Sequence, residues 1–198
     1  GLGNPVALYL AAAGVGAFTL VDFDSVETSN LHRQVLFGIN DCGKPKVEVA
    51  AEKLRMLHPE ICITTLVTRV AELNVAGMLA GVDLVADCTD NFETRYLIND
   101  TCVDLQKSFI YGAIHAWEGQ FAVFHPEGPS YRSLFPVEPS PQEIPSCDEV
   151  GVLGVLPGII GLFQAKEAIF YLAGFESPAQ HGLMTFDLRE MRLSSFKL

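Results

Sequence analysis

The segment from residue 82 to residue 100 constrains the fold and function of this chain more than any other. Residues 82–86 are mostly apolar and predict a buried strand, and the acidic run Asp87-Cys88-Thr89-Asp90-Asn91 follows where that strand ends. A helix is predicted over 94–105. In an open α/β sheet, ligands bind at this carboxyl edge. Two carboxylates and an amide there can hold Mg²⁺ together with phosphates, although Asp90 or Asn91 could instead cap the helix.

The size and composition indicate one folded domain. The chain has 198 residues, of which 49% are hydrophobic, and a mean hydropathy of +0.27, which argues against disorder. No apolar run reaches the ~20 residues of a membrane span, and no secretory signal is visible, so we expect no membrane partner. A net charge of −11 argues against a nucleic-acid-binding face.

The cysteines predict a reducing compartment. They form no close pair and no Cys-x-x-Cys, so neither a disulfide framework nor a zinc site is indicated, and a cytoplasmic location is expected. The five positions are Cys42, Cys62, Cys88, Cys102 and Cys147.

The first residues resemble a nucleotide-binding turn. Gly1-Leu2-Gly3-Asn4-Pro5 reads as a glycine turn that runs into a helix over 6–14, and an apolar strand over 17–21 follows. Asp22 then lies about twenty residues beyond the turn, where dinucleotide-binding folds place the carboxylate that binds a ribose hydroxyl. Such a turn normally follows a buried strand. We therefore expect a first strand and part of the glycine loop to be missing.

The remaining pattern predicts the fold class. Helices are expected over 44–57, 70–79 and 157–173, the last apolar on nearly every face and hence buried; strands are expected over 61–67, 109–113, 120–125, 183–186 and 191–196. The prediction is an α/β, Rossmann-like open sheet whose parallel nucleotide-binding half is extended by antiparallel strands. Residues 1–198 would form a single domain, with a mobile crossover loop at about 126–150.

Two basic residues are candidates for binding phosphate. Arg33 follows the ribose acid in Ser29-Asn30-Leu31-His32-Arg33-Gln34 and offers a permanently charged, bidentate fork, while Asn30 can donate to or accept from an oxygen. An ordinary solvated loop is the alternative. Lys46 opens the next helix, where its charge opposes the helix dipole, so an anion is expected nearby.

A third candidate is the thiol of Cys147. It lies in the segment rich in Pro and Ser, where an exposed thiol can act as a nucleophile. The neighbouring Asp148 and Glu149 would raise its pKa, which argues against reactivity.

Taken together, these segments resemble the ThiF/MoeB/HesA family, the ubiquitin-activating-type adenylyltransferases that act on small sulfur-carrier proteins. The similarity covers essentially the whole chain. It is carried by Gly1-Leu2-Gly3-Asn4-Pro5, Ala13-Gly14-Val15-Gly16, Leu20-Val21-Asp22-Phe23-Asp24, Ser29-Asn30-Leu31-His32-Arg33-Gln34, Lys44-Pro45-Lys46, Asp87-Cys88-Thr89-Asp90-Asn91, Gly128-Pro129-Ser130-Tyr131-Arg132, Gly151-Val152-Leu153-Gly154 and Gln164-Ala165.

The resemblance implies ATP and Mg²⁺ as cofactors and adenylation as the reaction. The C-terminal glycine carboxylate of a ubiquitin-fold carrier ending in Gly-Gly would attack the α-phosphate of ATP, giving an acyl-adenylate and pyrophosphate. A homodimer is implied as well. Cys147 matches the family cysteine proposed for a later thioester or acyl-disulfide step. The implied nucleotide site consists of Gly1 against the nucleotide, Asp22 on the ribose, Asn30, Arg33 and Lys46 on the phosphates with Ser29 among them, and Asp90 on Mg²⁺ with Asn91 beside it.

This chain departs from the family at the usual zinc ligands, and two alternative functions are considered. Where the family usually has Cys-x-x-Cys, this chain has Ser130-Tyr131-Arg132-Ser133, so no structural zinc is expected. A catalytically reduced binding or scaffold paralogue is one alternative. An NAD-dependent Rossmann oxidoreductase is the other, because Asp22 and the glycine turn would serve either cofactor. The phosphate and metal candidates argue against it, since hydride transfer has little need of them.

Overall fold

The computed structural model describes residues 1–139 and 151–198. Within these residues the α-helices are α1 (Gly3–Ala12), α2 (Lys46–Leu57), α3 (Val75–Leu79), α4 (Phe92–Asp104), α5 (Tyr131–Leu134) and α6 (Val155–Leu172). The strands are β1 (Ala17–Val21), β2 (Cys62–Leu66), β3 (Leu84–Ala86), β4 (Ser108–His115), β5 (Glu118–Phe124), β6 (Gly182–Asp187) and β7 (Arg192–Lys197). Single turns of 3-10 helix occur at Thr28–Asn30, Ile39–Asp41 and Pro178–Gln180.

The strands form two sheets, and the predicted fold class is confirmed. β1 and β2 pair in parallel, and a second sheet has the order β3-β4-β5-β6-β7. In that second sheet β3 and β4 are parallel, while the pairs from β4 to β7 are antiparallel. The parallel half is thus divided between the sheets, since no ladder joins β1 to β3 in the described residues.

Helix α6 lies at the centre of the molecule, between α1 on one side and β3, β4 and β5 on the other. Gly161 permits the close crossing with α1, because a Cβ at this position would lie 2.7 Å from the carbonyl oxygen of Leu2. Leu156 and Ile160 are fully buried, whereas Leu162 is 39% exposed. The expected burial is therefore correct for one face of the helix only. In the described part of the chain, α6 alone has the length and apolar composition that a membrane-spanning helix would need.

Several predicted element bounds differ from the structure. The helix expected over 6–14 is α1 at Gly3–Ala12, so most of the expected glycine turn lies inside the helix. The helix expected over 70–79 begins only at Val75, because Asn74 folds the preceding residues into a turn: its Oδ1 accepts from Ala71 N at 2.9 Å and its Nδ2 donates to Arg69 O at 2.9 Å. The loop expected over 126–150 contains α5, whose first turn is closed by Ser130 N donating to Ser133 Oγ at 3.0 Å. Cys147 lies outside the described residues.

Candidate nucleotide-binding site

A cleft of about 1900 Å³ opens at the carboxyl ends of β1 and β3. Its lining includes β1 and β3 along their length as well as their ends, so its volume exceeds what a single ligand needs. Gly1 lies within electrostatic range of Asp22, Arg33, Lys46 and Asp90, which places these groups around one point. The cleft is lined by every predicted nucleotide residue except Ser29, namely Gly1, Asp22, Asn30, Arg33, Lys46, Asp90 and Asn91.

The first wall of the cleft is built from Asp22, Asp24 and Lys46. Asp22 directly follows β1, and its Oδ1 accepts from Asp24 N at 2.8 Å. Burial raises the pKa of Asp22, against the lowering effects of that hydrogen bond and of Lys46. Lys46 Nζ lies 2.7 Å from Asp24 Oδ2, and its backbone N donates to Asp24 O at 2.9 Å. The anion predicted beside Lys46 is therefore the protein's own Asp24, two residues beyond Asp22.

The turn at residues 28–34 forms the second wall. Backbone hydrogen bonds form this turn, for example from Arg33 N to Asn30 O at 3.0 Å. Ser29 adds to them, because its carbonyl oxygen accepts from Arg33 Nη1 at 3.4 Å and lies 2.9 Å from His32 Nδ1. The Ser29 hydroxyl accepts from Asn30 Nδ2 at 3.3 Å. Ser29 thus helps to hold the turn that presents Asn30 and Arg33 to the cleft. Contact of Ser29 with a ligand stays a prediction.

A buried amide links the residues just after this turn to helix α1. Asn4 Oδ1 accepts from Leu36 N at 2.9 Å, and the Asn4 side chain is buried. The sequence offered one signal for this role, a polar residue at the start of an otherwise apolar helix.

The third wall of the cleft lies directly after β3 and contains the acidic run. The residues of this run have different contacts. Asp87 is buried: its Oδ2 accepts from Arg95 Nε at 2.8 Å, and its Oδ1 accepts from Thr89 N at 2.8 Å and Thr89 Oγ1 at 2.6 Å. Both oxygens are occupied, so the expectation that Asp87 shares a metal ion is wrong. Asn91 Oδ1 accepts from Thr94 N at 2.9 Å and caps α4, as the capping alternative predicted.

Asp90 is the carboxylate that remains for a cation. It is exposed at the rim of the cleft and forms no hydrogen bond or ion pair within the described residues. No cluster of three or more His, Cys, Asp or Glu side chains occurs in that part of the chain. Mg²⁺ is commonly bound through one or two carboxylates together with substrate phosphates, so a single carboxylate in a cleft that is also lined by Arg33 and Lys46 fits this ion.

The sequence did not reveal the importance of Arg95. It is 4% exposed, and although burial opposes its charge, the facing Asp87 raises its pKa above the ordinary range for arginine. Its Nη2 also donates to Thr89 O at 2.7 Å. Its place in a predicted helix was visible from the sequence, but its burial was not.

Cys88, in the same segment, is not a candidate nucleophile. Burial, together with the nearby Asp87, raises the pKa of its thiol to about 12. The thiolate form, which is the reactive species, is therefore scarce at neutral pH.

Beyond Asp22 the cleft has a planar face. The guanidinium of Arg69 lies 4.0 Å from the centre of the Phe23 ring, and both side chains line the cleft. Neither residue was predicted. Their contact joins the turn after β1 to the turn before α3, so no local pattern could indicate it.

Fold and cleft together define a Rossmann-like nucleotide-binding protein. Comparison with family models is more specific: the ThiF family model matches residues 1–198, and the chain belongs to this family. The resemblance inferred from the sequence is confirmed, and membership in this family decides against the oxidoreductase alternative.

The similar curated proteins are named as adenylyltransferases or activating enzymes. A sulfur carrier protein adenylyltransferase from Thermus thermophilus is 46% identical over 196 residues, which is 96% of this chain and 72% of the relative. A SAMP-activating enzyme E1 from Haloferax volcanii is 45% identical over 191 residues, covering 96% of this chain and 71% of the relative. The adenylyltransferase and sulfurtransferase MOCS3 of Xenopus laevis is 42% identical, and this chain spans 44% of its length.

The solved structure of E. coli MccB with ATP has the same fold. It aligns with a TM-score of 0.83 at 22% identity, covering 100% of this chain and 60% of the MccB chain. At this identity the likeness concerns the fold alone.

Proposed function

We propose that this chain uses ATP to adenylate the C-terminal glycine of a ubiquitin-fold sulfur-carrier protein and releases pyrophosphate. The observation that carries the proposal is the convergence of Asp22, Arg33, Lys46 and Asp90 around Gly1 in one cleft. The names of the relatives, among them a sulfur carrier protein adenylyltransferase, support the choice of substrate.

The first wall and the start of α1 would hold the nucleotide. Asp22 in its ionised form accepts hydrogen bonds from ribose hydroxyls. The N-terminus of α1, a helix of ten residues, carries no acidic residue in its first turn and adds a positive dipole for the phosphates. Arg33 would grip phosphate oxygens with its fork, and Lys46 would act as a point charge beside them.

The ion pair between Lys46 and Asp24 holds the lysine ammonium in place. Lys46 is 11% exposed in its side chain and Asp24 is 48% exposed, so the ammonium is fixed while the carboxylate stays partly hydrated. The ion pair therefore presents Lys46 at one defined place, which lowers the conformational entropy lost when phosphate binds.

The chemistry requires neutralisation of charge and does not require a general base. The carrier's carboxylate is ionised at neutral pH, so its oxygen can attack the α-phosphorus directly, and the bond from that phosphorus to the bridging oxygen of pyrophosphate breaks. Arg33 and Lys46 stabilise the negative charge that the phosphoryl oxygens carry during this transfer. Asp90 would hold Mg²⁺, which supplies further charge neutralisation on the phosphates.

The proposal includes the carrier's Gly-Gly tail, a homodimer and a cytoplasmic location. An apolar face supports the dimer: α6 leaves Val155, Leu162 and Leu172 between 39% and 52% exposed, and Tyr9 of the neighbouring α1 is 51% exposed. The covalent role of Cys147 is also part of the proposal and rests on the family resemblance.

Pyrophosphate exchange into ATP tests the proposal. The chain is incubated with ATP, Mg²⁺, labelled pyrophosphate and each of several ubiquitin-fold carriers, with the same carriers lacking the Gly-Gly tail as controls. We expect exchange with at least one intact carrier and none with its truncated form. Equal exchange with the intact and the truncated carriers, or no exchange with any carrier, contradicts the proposal.

Two lysines provide matched variants for this assay. Lys46→Ala removes a charge from the cleft and should reduce exchange about a hundredfold. Lys44→Ala removes a charge two residues away, where the side chain is 56% exposed and points to Asp41 at 3.9 Å, and should leave exchange unchanged. Equal effects of the two substitutions would show that net charge, and not the cleft, determines the rate.

A further inference from the structure

Strands β3 and β4 separate at Asp87, the residue that begins the acidic run. Ala86 pairs with Ile110 in the parallel register, and Asp87 N still donates to Ile110 O at 2.9 Å. The ladder would continue with a bond from Gly112 N to Asp87 O. That carbonyl instead accepts from the side chain of Gln164 on α6, whose Nε2 lies 2.6 Å away.

Gly112 leaves room for the Gln164 amide to take the place of this ladder hydrogen bond. A Cβ at residue 112 would lie 2.5 Å from Gln164 Oε1 and would also overlap the rest of the amide. The amide of Gln164 therefore occupies the space that a side chain at position 112 would fill. Glycine weakens a strand interior, so its presence here fits a close approach by a neighbouring group.

The Nε2 donor of Gln164 explains why a glutamine stands at this buried position. The side chain is 0% exposed, and its Oε1 has no hydrogen-bond partner among the residues the structure describes. An unpaired buried acceptor destabilises a fold, and a methionine of similar size would avoid it. The benefit of glutamine at this position is the hydrogen bond from Nε2 to the Asp87 carbonyl.

We propose that Gln164 is a positioning residue for the segment that carries Asp90. By holding the Asp87 carbonyl away from β4, it turns residues 88–91 into the cleft. Arg95 supports the same segment through Thr89 O at 2.7 Å. The contact itself is independent of the activity, while its consequence for catalysis rests on the proposed function.

Hydrogen–deuterium exchange tests the contact without reference to activity. Gln164→Met removes the donor at similar volume, and Gln164→Leu, which also lacks a donor, is a second variant in case the first does not fold. Ile160→Val is the matched control, because Ile160 is equally buried one turn earlier on α6 but contacts Gly119 instead. We expect amide exchange in residues 87–91 to be about tenfold faster in the Gln164 variants and unchanged in the control. Equal protection in all proteins would overturn the proposal.

Pyrophosphate exchange then tests the consequence. The Gln164 variants should lose about tenfold in kcat with an unchanged KM for the carrier, whereas Ile160→Val should keep the wild-type rate. Faster amide exchange with an unaltered kcat would refute the positioning role. A wild type without activity on any carrier would refute the proposed function, and the hydrogen–deuterium measurement would still decide whether Gln164 holds the segment.

Discussion

Replacement of Arg95 by methionine tests how the acidic run is held in place. The Asp87 side chain is 0% exposed and that of Arg95 is 5% exposed, with Nε and Oδ2 2.8 Å apart. Without the guanidinium, Asp87 would be a buried carboxylate with only the two hydrogen bonds from Thr89. Breaking such a pair costs on the order of 3–5 kcal/mol of unfolding free energy. In a domain of this size the melting temperature should fall by roughly 10 °C.

Urea unfolding followed by circular dichroism measures this loss. A second substitution, Asp87→Asn, removes the stranded charge but keeps an oxygen for Thr89, so the double variant should be more stable than Arg95→Met alone. Arg132→Met is the matched control. Arg132 Nε is 2.7 Å from Asp100 Oδ1, but both side chains are more than 40% exposed, so its loss should cost less than about 1 kcal/mol.

Two results would refute this reasoning. A cost for Arg95→Met as small as that for Arg132→Met would show that the buried pair adds no more than an exposed one. Failure of Asp87→Asn to restore stability would show that the cost comes from lost packing and not from an uncompensated charge.

Four further predictions concern the cleft, the metal content and the thiol. Arg33→Lys should lower pyrophosphate exchange about a hundredfold, because an ammonium cannot replace a bidentate fork; a near-normal rate would contradict this. The KM for ATP should rise as the pH falls through the raised pKa of Asp22, because protonation removes the carboxylate that we propose binds ribose. An Asp22→Asn variant should lack this dependence, and the same pH profile in both proteins would exclude Asp22 as its source. Elemental analysis should find no stoichiometric zinc, and one zinc per chain would contradict this. Cys147→Ser should keep pyrophosphate exchange but lose any carrier adduct on non-reducing gels, and an adduct in the variant would show that another group forms it.

The sequence predicted those parts of the fold that depend on neighbouring residues. The strand before Asp87 was predictable because an apolar run acts locally. The glycine turn expected at residues 1–5 was wrong, since α1 begins at Gly3. The helix expected from residue 70 was wrong because the side chain of Asn74 competes for backbone groups, an effect that apolar spacing does not register.

The candidate site was predictable in its membership but not in its pairings. Asp22, Arg33, Lys46 and Asp90 were predicted, and all line the cleft. The role of Asp87 was predicted wrongly, since its partner Arg95 lies on the following helix and the burial of both depends on the tertiary fold. The donor from Gln164 to Asp87 O joins residues 77 positions apart, and no local pattern contains such a contact.

Direct detection of the acyl-adenylate tests whether the chain adenylates the carrier's C-terminal glycine. The chain, ATP, Mg²⁺ and an intact carrier are mixed with pyrophosphatase to prevent reversal, quenched in acid, and the carrier is examined by intact-mass spectrometry. We expect a carrier heavier by one adenylyl group, located at the C-terminal glycine and absent with the Asp90→Ala variant. A carrier of unchanged mass with every ubiquitin-fold protein tried, or an adenylyl group at another residue, would contradict it.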